Sequence, residues 1–273
     1  MKRLFWEGLV MLAVIAGTWS LLMQLPFTNV GKLRNISRKQ QEKLGQLVIQ
    51  SLEEDYPRIE GQPINTALDS LRNILGHNKK LVPDTYTIIL LDNPDVNALA
   101  IPGNYILVFR GLIDSTRNAD EMAGVLAHEI AHHQEGHIVK KLVQEVSFGL
   151  LLSLLSGNTG GTILRETGGK LISASFDRKQ ERKADAFAVQ LMLQNNIDPA
   201  ALGHFLLRLP YEDSLQTQAG LFSTHPHSKE RAIEIERLRA QAADTSFTSV
   251  LAPAYWNKVK TRLNEEPTTA MEE

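Results

Sequence analysis

The stretch His128-Glu129-Ile130-Ala131-His132 sets two imidazoles four residues apart, with a carboxylate beside the first. On an α-helix, positions i and i+4 project from one face, so both rings reach a single cation at about 2.0–2.1 Å. Glu129 is turned roughly 100° round that helix, beside the cation rather than on it. There it would serve as general base toward a zinc-bound water. The helix is itself predicted: Asn118 and Glu121 have capping-box spacing, and Met122, Val125 and Leu126 mark an apolar stripe running through the histidines at least to Lys141. A plainer reading is a solvated histidine-rich helix, since His133 and His137 lie in it too.

A catalytic zinc site commonly takes three protein ligands and keeps a fourth place for water. The chain has no cysteine, which excludes thiolate sites, disulfides and cysteine nucleophiles. A histidine third ligand on the same segment would need Gly at 135 and His at 138, where Glu135 and Ile138 stand. A carboxylate from a later helix remains. Glu181 and Asp185 are an i, i+4 pair: Glu181 would bind the ion, and Asp185 would accept the free N–H of a ligand histidine and fix its tautomer. The charges around them, Asp177, Arg178, Lys179, Arg182 and Lys183, also suit an exposed helix face. Both halves together, in this order, predict one zinc ion per chain.

Several elements must position these groups. Ser37 to Tyr56 has Leu44, Leu47, Val48 and Leu52 at helical spacing, and Ile64 to Leu75 repeats the pattern before Gly76. Thr85 to Leu91, Val96 to Ile101 and Tyr105 to Phe109 are β-branched and apolar, separated by turn-like Asp92–Asp95 and Pro102–Asn104; three short strands in a largely antiparallel sheet are expected. Helices are predicted over Asp177 to Gln194, after Asp198-Pro199, and from about Pro226 to Ser228 onward, carrying Ile233, Ile235 and Leu238. Val146 to Leu155 is apolar but too short to span a bilayer, and glycines flank it; the segment 146–170 suits a buried helix with loops, or a lid. From Pro253 the chain turns polar or mixed, and residues 251–273 are expected to form a peripheral tail.

Lys2 and Arg3 precede a largely apolar stretch from Leu4 to Leu25, close to the roughly 20 residues that cross a bilayer as a helix. No small-x-small exit follows, so residues 1–27 are expected to be an uncleaved anchor, with a signal peptide or buried core helix as alternatives. Lys32, Arg34, Arg38 and Lys39 lie just beyond, against an outward orientation by charge alone. Long domains translocate regardless, and the domain over residues 28–250 is placed outside the cytoplasm. A net charge of -2 and the lack of a basic, aromatic-laced run exclude the usual footprint for nucleic acid.

Four segments, HEIAHHQEGH (128–137), DRKQERKADAFA (177–188), NALAIPGNYILV (97–108) and THPHSKERAI (224–233), resemble the membrane-associated zinc metallopeptidases of peptidase family M48, which includes the HtpX-type heat-shock proteases and the CAAX prenyl endopeptidases. The resemblance implies an α+β, mainly helical zincin-like (gluzincin) fold with a small sheet. It implies His128, His132 and Glu181 as metal ligands and Glu129 as base. It also implies that Asn97, Ala98, Leu99, Ala100, Ile101 and Pro102 form an edge strand along which an extended peptide lies, a mode that demands little of the peptide's sequence; ordinary sheet core is the plainer role for that strand. Likewise His225, with His227 as second candidate, would donate to the developing oxyanion, and Arg231 would brace that loop. The single anchor departs from multi-span members and argues against a chamber for prenylated substrates. The expected activity is zinc-dependent endopeptidase action on unfolded or membrane-associated polypeptides in envelope quality control. The alternatives are a zinc-holding chaperone or assembly factor with a latent cleft and, more remotely, an esterase or deformylase.

Overall fold

The computed structural model describes residues 37–77, 80, 82, 85–145, 169, 174–209, 221–226, 228–242 and 246–265. The chain divides into two units between Ser37 and Arg38, and all that follows concerns the second. The expected anchor, all of the segment 146–170 except Gly169, and His227 lie outside the described residues. Among the described residues, no helix is long and apolar enough to cross a membrane.

Helix α1 (Arg38–Glu53) buries Leu44, Val48, Ile49 and Leu52, and α2 (Ile64–Leu75) has the bounds its periodicity predicts. Strands β1 (Thr87–Leu91), β2 (Ala98–Ile101) and β3 (Tyr105–Phe109) form one sheet in the order β1-β3-β2. Alternate side chains go to opposite faces. Ile89, Leu91, Leu99, Ile101, Leu107 and Phe109 pack with α1, while Leu90, Ala98, Ile106 and Val108 join the larger helical core. Burial on both faces explains why these strands are continuous apolar runs rather than alternating ones.

The sheet is mixed, which corrects the largely antiparallel expectation. β2 and β3 are antiparallel, with Ala98 opposite Val108, whereas β1 and β3 are parallel, with Thr87 opposite Tyr105. The reason is the connection after β1. It does not fold back as a hairpin but carries the chain to the far side of β3, steadied by Asp95 N–H on Asn93 Oδ1 at 2.8 Å and Arg110 on Asp92 at 2.6 Å. β2 is left at the sheet's edge.

A short helix α3 (Arg110–Ser115) leads to α4 (Ala119–Gln134), the central helix, in which Ala119 and every residue from Glu121 through His132 are buried. Asn118 caps it through Oδ1 on the Glu121 N–H at 2.9 Å, but the reciprocal half of the box is not made: the Glu121 carboxylate takes the Arg117 N–H and the Arg208 guanidinium. The predicted run to Lys141 is broken at Glu135-Gly136, where Gly136 takes φ +69, and the chain restarts as α5 (His137–Glu145). Glycine adopts that left-handed conformation without steric cost.

Helix α6 (Arg178–Gln194) begins with a full capping box from Asp177 and Gln180 and packs along α4. Helices α7 (Ala200–Arg208), α8 (Leu221–Thr224) and α9 (Ser228–Arg239) follow; α9 lies on α7 and α6, and its predicted core residue Ile233 is exposed. The expected peripheral tail is corrected as well. Residues Pro253–Glu265 form α10, whose Trp256, Val259 and Leu263 lie in the main core at helical spacing.

Candidate active site

Helix α4 presents His128 and His132 on one face toward α6, which supplies Glu181 and Asp185, and the turn between α8 and α9 supplies His225. The donor atoms converge. His128 Nε2 lies 2.9 Å from His132 Nε2 and 3.2 Å from His225 Nδ1, and Glu181 Oε1 lies 3.3 Å from His132 Nε2 and 3.0 Å from His225 Nδ1. Four ligands held tetrahedrally at zinc distances stand about 3.3 Å apart, so the cluster has close to the dimensions of a single ion's donor set. All four residues are at most 3% exposed.

Charge bears on the same cluster. Glu129, Glu181 and Asp185 are buried around Arg231. Carboxylates gathered in a low-dielectric interior favour positive charge among them, from a bound cation or from a protonated imidazole. Burial and the Arg231 charge both oppose protonation of His128. Glu181 and Asp185 outweigh them and raise its pKa from 6.5 to about 9. Burial drives His132 well below the usual histidine range, and the neighbouring His128 adds to that. Burial would raise the two carboxylic acids, but Arg231 together with the neighbouring histidines more than reverses it, holding Glu181 well below its ordinary value and Asp185 down to about 2.

Each ring has its own support. Asp185 Oδ1 is 2.9 Å from His128 Nδ1, as the spacing implies, which turns Nε2 toward the cluster. His132 Nδ1 meets His137 Nδ1 at 3.2 Å, so His137 orients His132 as Asp185 orients His128. That pairing needs the break at Gly136 to turn His137 back. Phe176, on the segment entering α6, lies across the His132 ring with centroids 3.8 Å apart, and Lys141 Nζ sits 4.2 Å from the Phe176 centroid.

Glu129 stands apart from the donors. Its Oε2 accepts the Ala100 N–H at 2.8 Å, and its buried Oε1 makes no hydrogen bond, lying 3.4 Å from His225 Nε2. Ala100 belongs to the sheet edge. Asn97 O accepts from Phe109 N, so residues 97, 99 and 101 bond inward to β3 while Ala98 and Ala100 face outward. That outward side is covered: Ile138, Lys141 and Phe176 close over Leu99, Ala100, Ile101, Pro102 and Glu129, leaving a cavity of about 10 Å³, enough for one water.

Thus the structure joins His128, His132, Glu181, Asp185, Glu129 and the edge strand in one place. It sets His225 inside the donor cluster, not off to one side where a separate oxyanion donor would stand. It also brings in His137, Phe176 and Arg231 as immediate neighbours of the ligand groups; the HEIAHHQEGH run hints at His137 and the resemblance has Arg231 bracing the His225 loop, but Phe176 carries no signal in the sequence.

A model of Peptidase family M48 matches residues 66–239. Metalloprotease LoiP of Escherichia coli (strain K12) is 31% identical over 176 residues, 62% of this chain and 68% of its own length. The Beta-barrel assembly-enhancing protease of Yersinia pestis is 25% identical over 215 residues, 74% of this chain and 44% of its own. The Mitochondrial metalloendopeptidase OMA1 of Schizosaccharomyces pombe (strain 972 / ATCC 24843) is 31% identical over 163 residues, 59% of this chain and 48% of its own. The chain therefore spans about two thirds of the first relative and under half of the other two. It belongs to peptidase family M48 and is a metalloprotease, a hydrolase of peptide or protein substrates.

Proposed function

We propose that this chain is a zinc-dependent endopeptidase in which His128, His132 and Glu181 hold the ion and Glu129 is the general base. The observation that carries the reading is the convergence of two imidazoles and a carboxylate from two helices, with a second carboxylate one hydrogen bond from the sheet edge. A bound zinc ion supplies Lewis acidity toward a carbonyl and lowers the pKa of water. The protein does the rest. The outward backbone groups of Ala98 and the Ala100 carbonyl pair with an extended peptide once the side chains over the edge move aside. The Ala100 N–H fixes Glu129 Oε2, so that Oε1 is the oxygen free to take a proton from attacking water and return it to the leaving amine. His225 is the nearest additional N–H donor for the carbonyl oxygen once its ring turns out of the cluster.

Backbone pairing selects for extended chain, so unfolded polypeptides are the proposed substrates. The name of the Yersinia relative, an assembly-enhancing protease for β-barrels, supports a quality-control role at the cell envelope. With the apolar stretch Leu4 to Leu25 as a single anchor, we place the peptidase domain on the extracytoplasmic side.

One observation favours a second reading. The covered β2 edge and the presence of His225 in the donor set describe a closed cleft, as a latent protease or a zinc-holding assembly factor would have. A single experiment addresses both: metal content and casein cleavage, with and without chelator, for wild type and Glu129→Gln. Stoichiometric zinc in both proteins, with cleavage only by the wild type, supports the enzyme. Equal biological activity of wild type and Glu129→Gln favours the assembly factor, and absence of zinc from the wild type overturns both.

A further inference from the structure

Arg231, on α9, is a buried guanidinium that touches three of the four donor residues. Its Nε and Nη2 form a fork on Asp185, at 2.8 Å to Oδ2 and 2.8 Å to Oδ1. Its Nη1 lies 2.7 Å from Glu181 Oε2 and donates to the His225 carbonyl at 3.3 Å. Its Nη2 is nearly equidistant from both nitrogens of His128, at 3.3 and 3.4 Å. The in-plane direction at Nδ1 is already taken by Asp185, so the guanidinium lies over the face of the ring.

The two oxygens of Glu181 are thereby made unequal. Oε1 faces His132 Nε2 and His225 Nδ1, inside the donor cluster. Oε2 is 3.5 Å from His128 Nε2 but closer to Arg231, at 2.7 Å, and has no aligned hydrogen-bond donor. Carboxylates bind cations through one oxygen or two, and a catalytic site needs a coordination place left open. An oxygen held 2.7 Å from a fixed positive charge is a poor second donor to a cation.

Resting on the proposed zinc site, we infer that Arg231 is its positioning residue: it confines Glu181 to a single ligating oxygen and, through Asp185 and the face of the imidazole, locks the direction of the His128 lone pair. A residue that merely braces the loop would act on folding alone. A positioning residue acts on the ion. Lysine keeps the charge but lacks the planar fork, so R231K separates the two roles.

The test is zinc affinity by competition with a chromophoric chelator, with the visible spectrum of the cobalt-substituted protein, for wild type and R231K. Supports on histidine and carboxylate ligands are typically worth 10–100-fold in metal affinity. R231K is expected to bind zinc about 10–100-fold more weakly, and its cobalt absorption should weaken as Glu181 becomes bidentate. Unchanged affinity and an unchanged spectrum overturn the inference even if the variant melts earlier. Should R231K fail to fold, X-ray absorption on the wild-type zinc protein decides: one carboxylate oxygen in the inner shell supports the inference, and two overturn it. A wild type that takes up no zinc overturns the proposed function as well, so the two failures are distinguishable.

Discussion

Helix α10 lies beyond the family match, and its contribution is open to direct measurement. Trp256 is 1% exposed, and its Nε1–H donates to Thr116 Oγ1 at 3.2 Å. Thr116 closes α3 two residues before the cap of α4, and Lys260 Nζ also donates to its carbonyl at 2.8 Å. A buried tryptophan removes about 200 Å² from water, which at about 25 cal/mol/Å² gives about 5 kcal/mol as an upper bound. Truncation adds no orphaned donor, because Thr116 Oγ1 still donates to Ile113 O at 2.7 Å. Trp256→Ala should therefore destabilise by about 3–5 kcal/mol, the range found for large aromatic truncations. Trp256→Phe keeps most of the packing and should lose about 1 kcal/mol with the hydrogen bond. Urea titration of the zinc-free protein measures both without metal linkage. Trp6→Phe and Trp19→Phe leave Trp256 as the sole tryptophan for a fluorescence readout in the background protein, and the Trp256 variants are followed by circular dichroism. A loss under about 1 kcal/mol for Trp256→Ala, well short of the cavity range, would mean that the packing argument fails and α10 is a peripheral tail.

Further outcomes follow from other contacts. A Cβ at Gly111 would meet Pro94 O at 1.9 Å, backbone against backbone, so Gly111→Ala should cost about 1–3 kcal/mol or more by overpacking, seen as a lowered Tm. Asp198 binds Arg239 through both oxygens, with burial opposing and Arg239 leading the causes that lower its pKa below 3.8. Because the folded pKa lies below the unfolded one, this pair stabilises above about pH 4 and the benefit disappears as pH falls through the folded value. Partly exposed, it is worth about 0.2–1 kcal/mol, so urea midpoints of wild type and Asp198→Asn should differ at pH 7 and converge as the pH falls well below the ordinary carboxylate range. Chelation should lower the Tm reversibly; readdition of zinc to 100 times its Kd should restore about 2.7 kcal/mol. An unchanged Tm would count against a structural share for the ion.

How far the sequence could lead is clearest in the fold. Helix α2 is legible because Ile64, Leu68, Leu71 and Leu75 are themselves the periodic signal, and the start of α6 because a capping box is local chemistry. The sheet's topology is not local. Nothing in Asp92–Asn97 says that the chain passes to the far side of β3, and two antiparallel hairpins would satisfy the same apolar runs. Helix α10 escaped because three buried side chains, Trp256, Val259 and Leu263, are spread among ten mostly polar or small ones. A narrow apolar stripe at a chain end resembles an exposed helix until its partner surface is known.

For the site, the dividing line is whether a contact lies within one helix. His128 and His132, and Glu181 and Asp185, are i, i+4 pairs, so helical geometry alone predicts that each pair acts together. Arg231 and His225 reach the same point from another element; a lone arginine and a lone histidine carry no spacing to interpret, and only the family resemblance points to them. Yet they decide the electrostatics. Arg231 stands among three buried carboxylates, Glu129, Glu181 and Asp185, and opposes protonation of the last two. The net charge of -2 over the whole chain, from 29 basic and 31 acidic residues, carries no trace of that grouping. What favours a cation here is a group of carboxylates sealed from water among imidazole donors, and only the packing of α4, α6 and α9 reveals it.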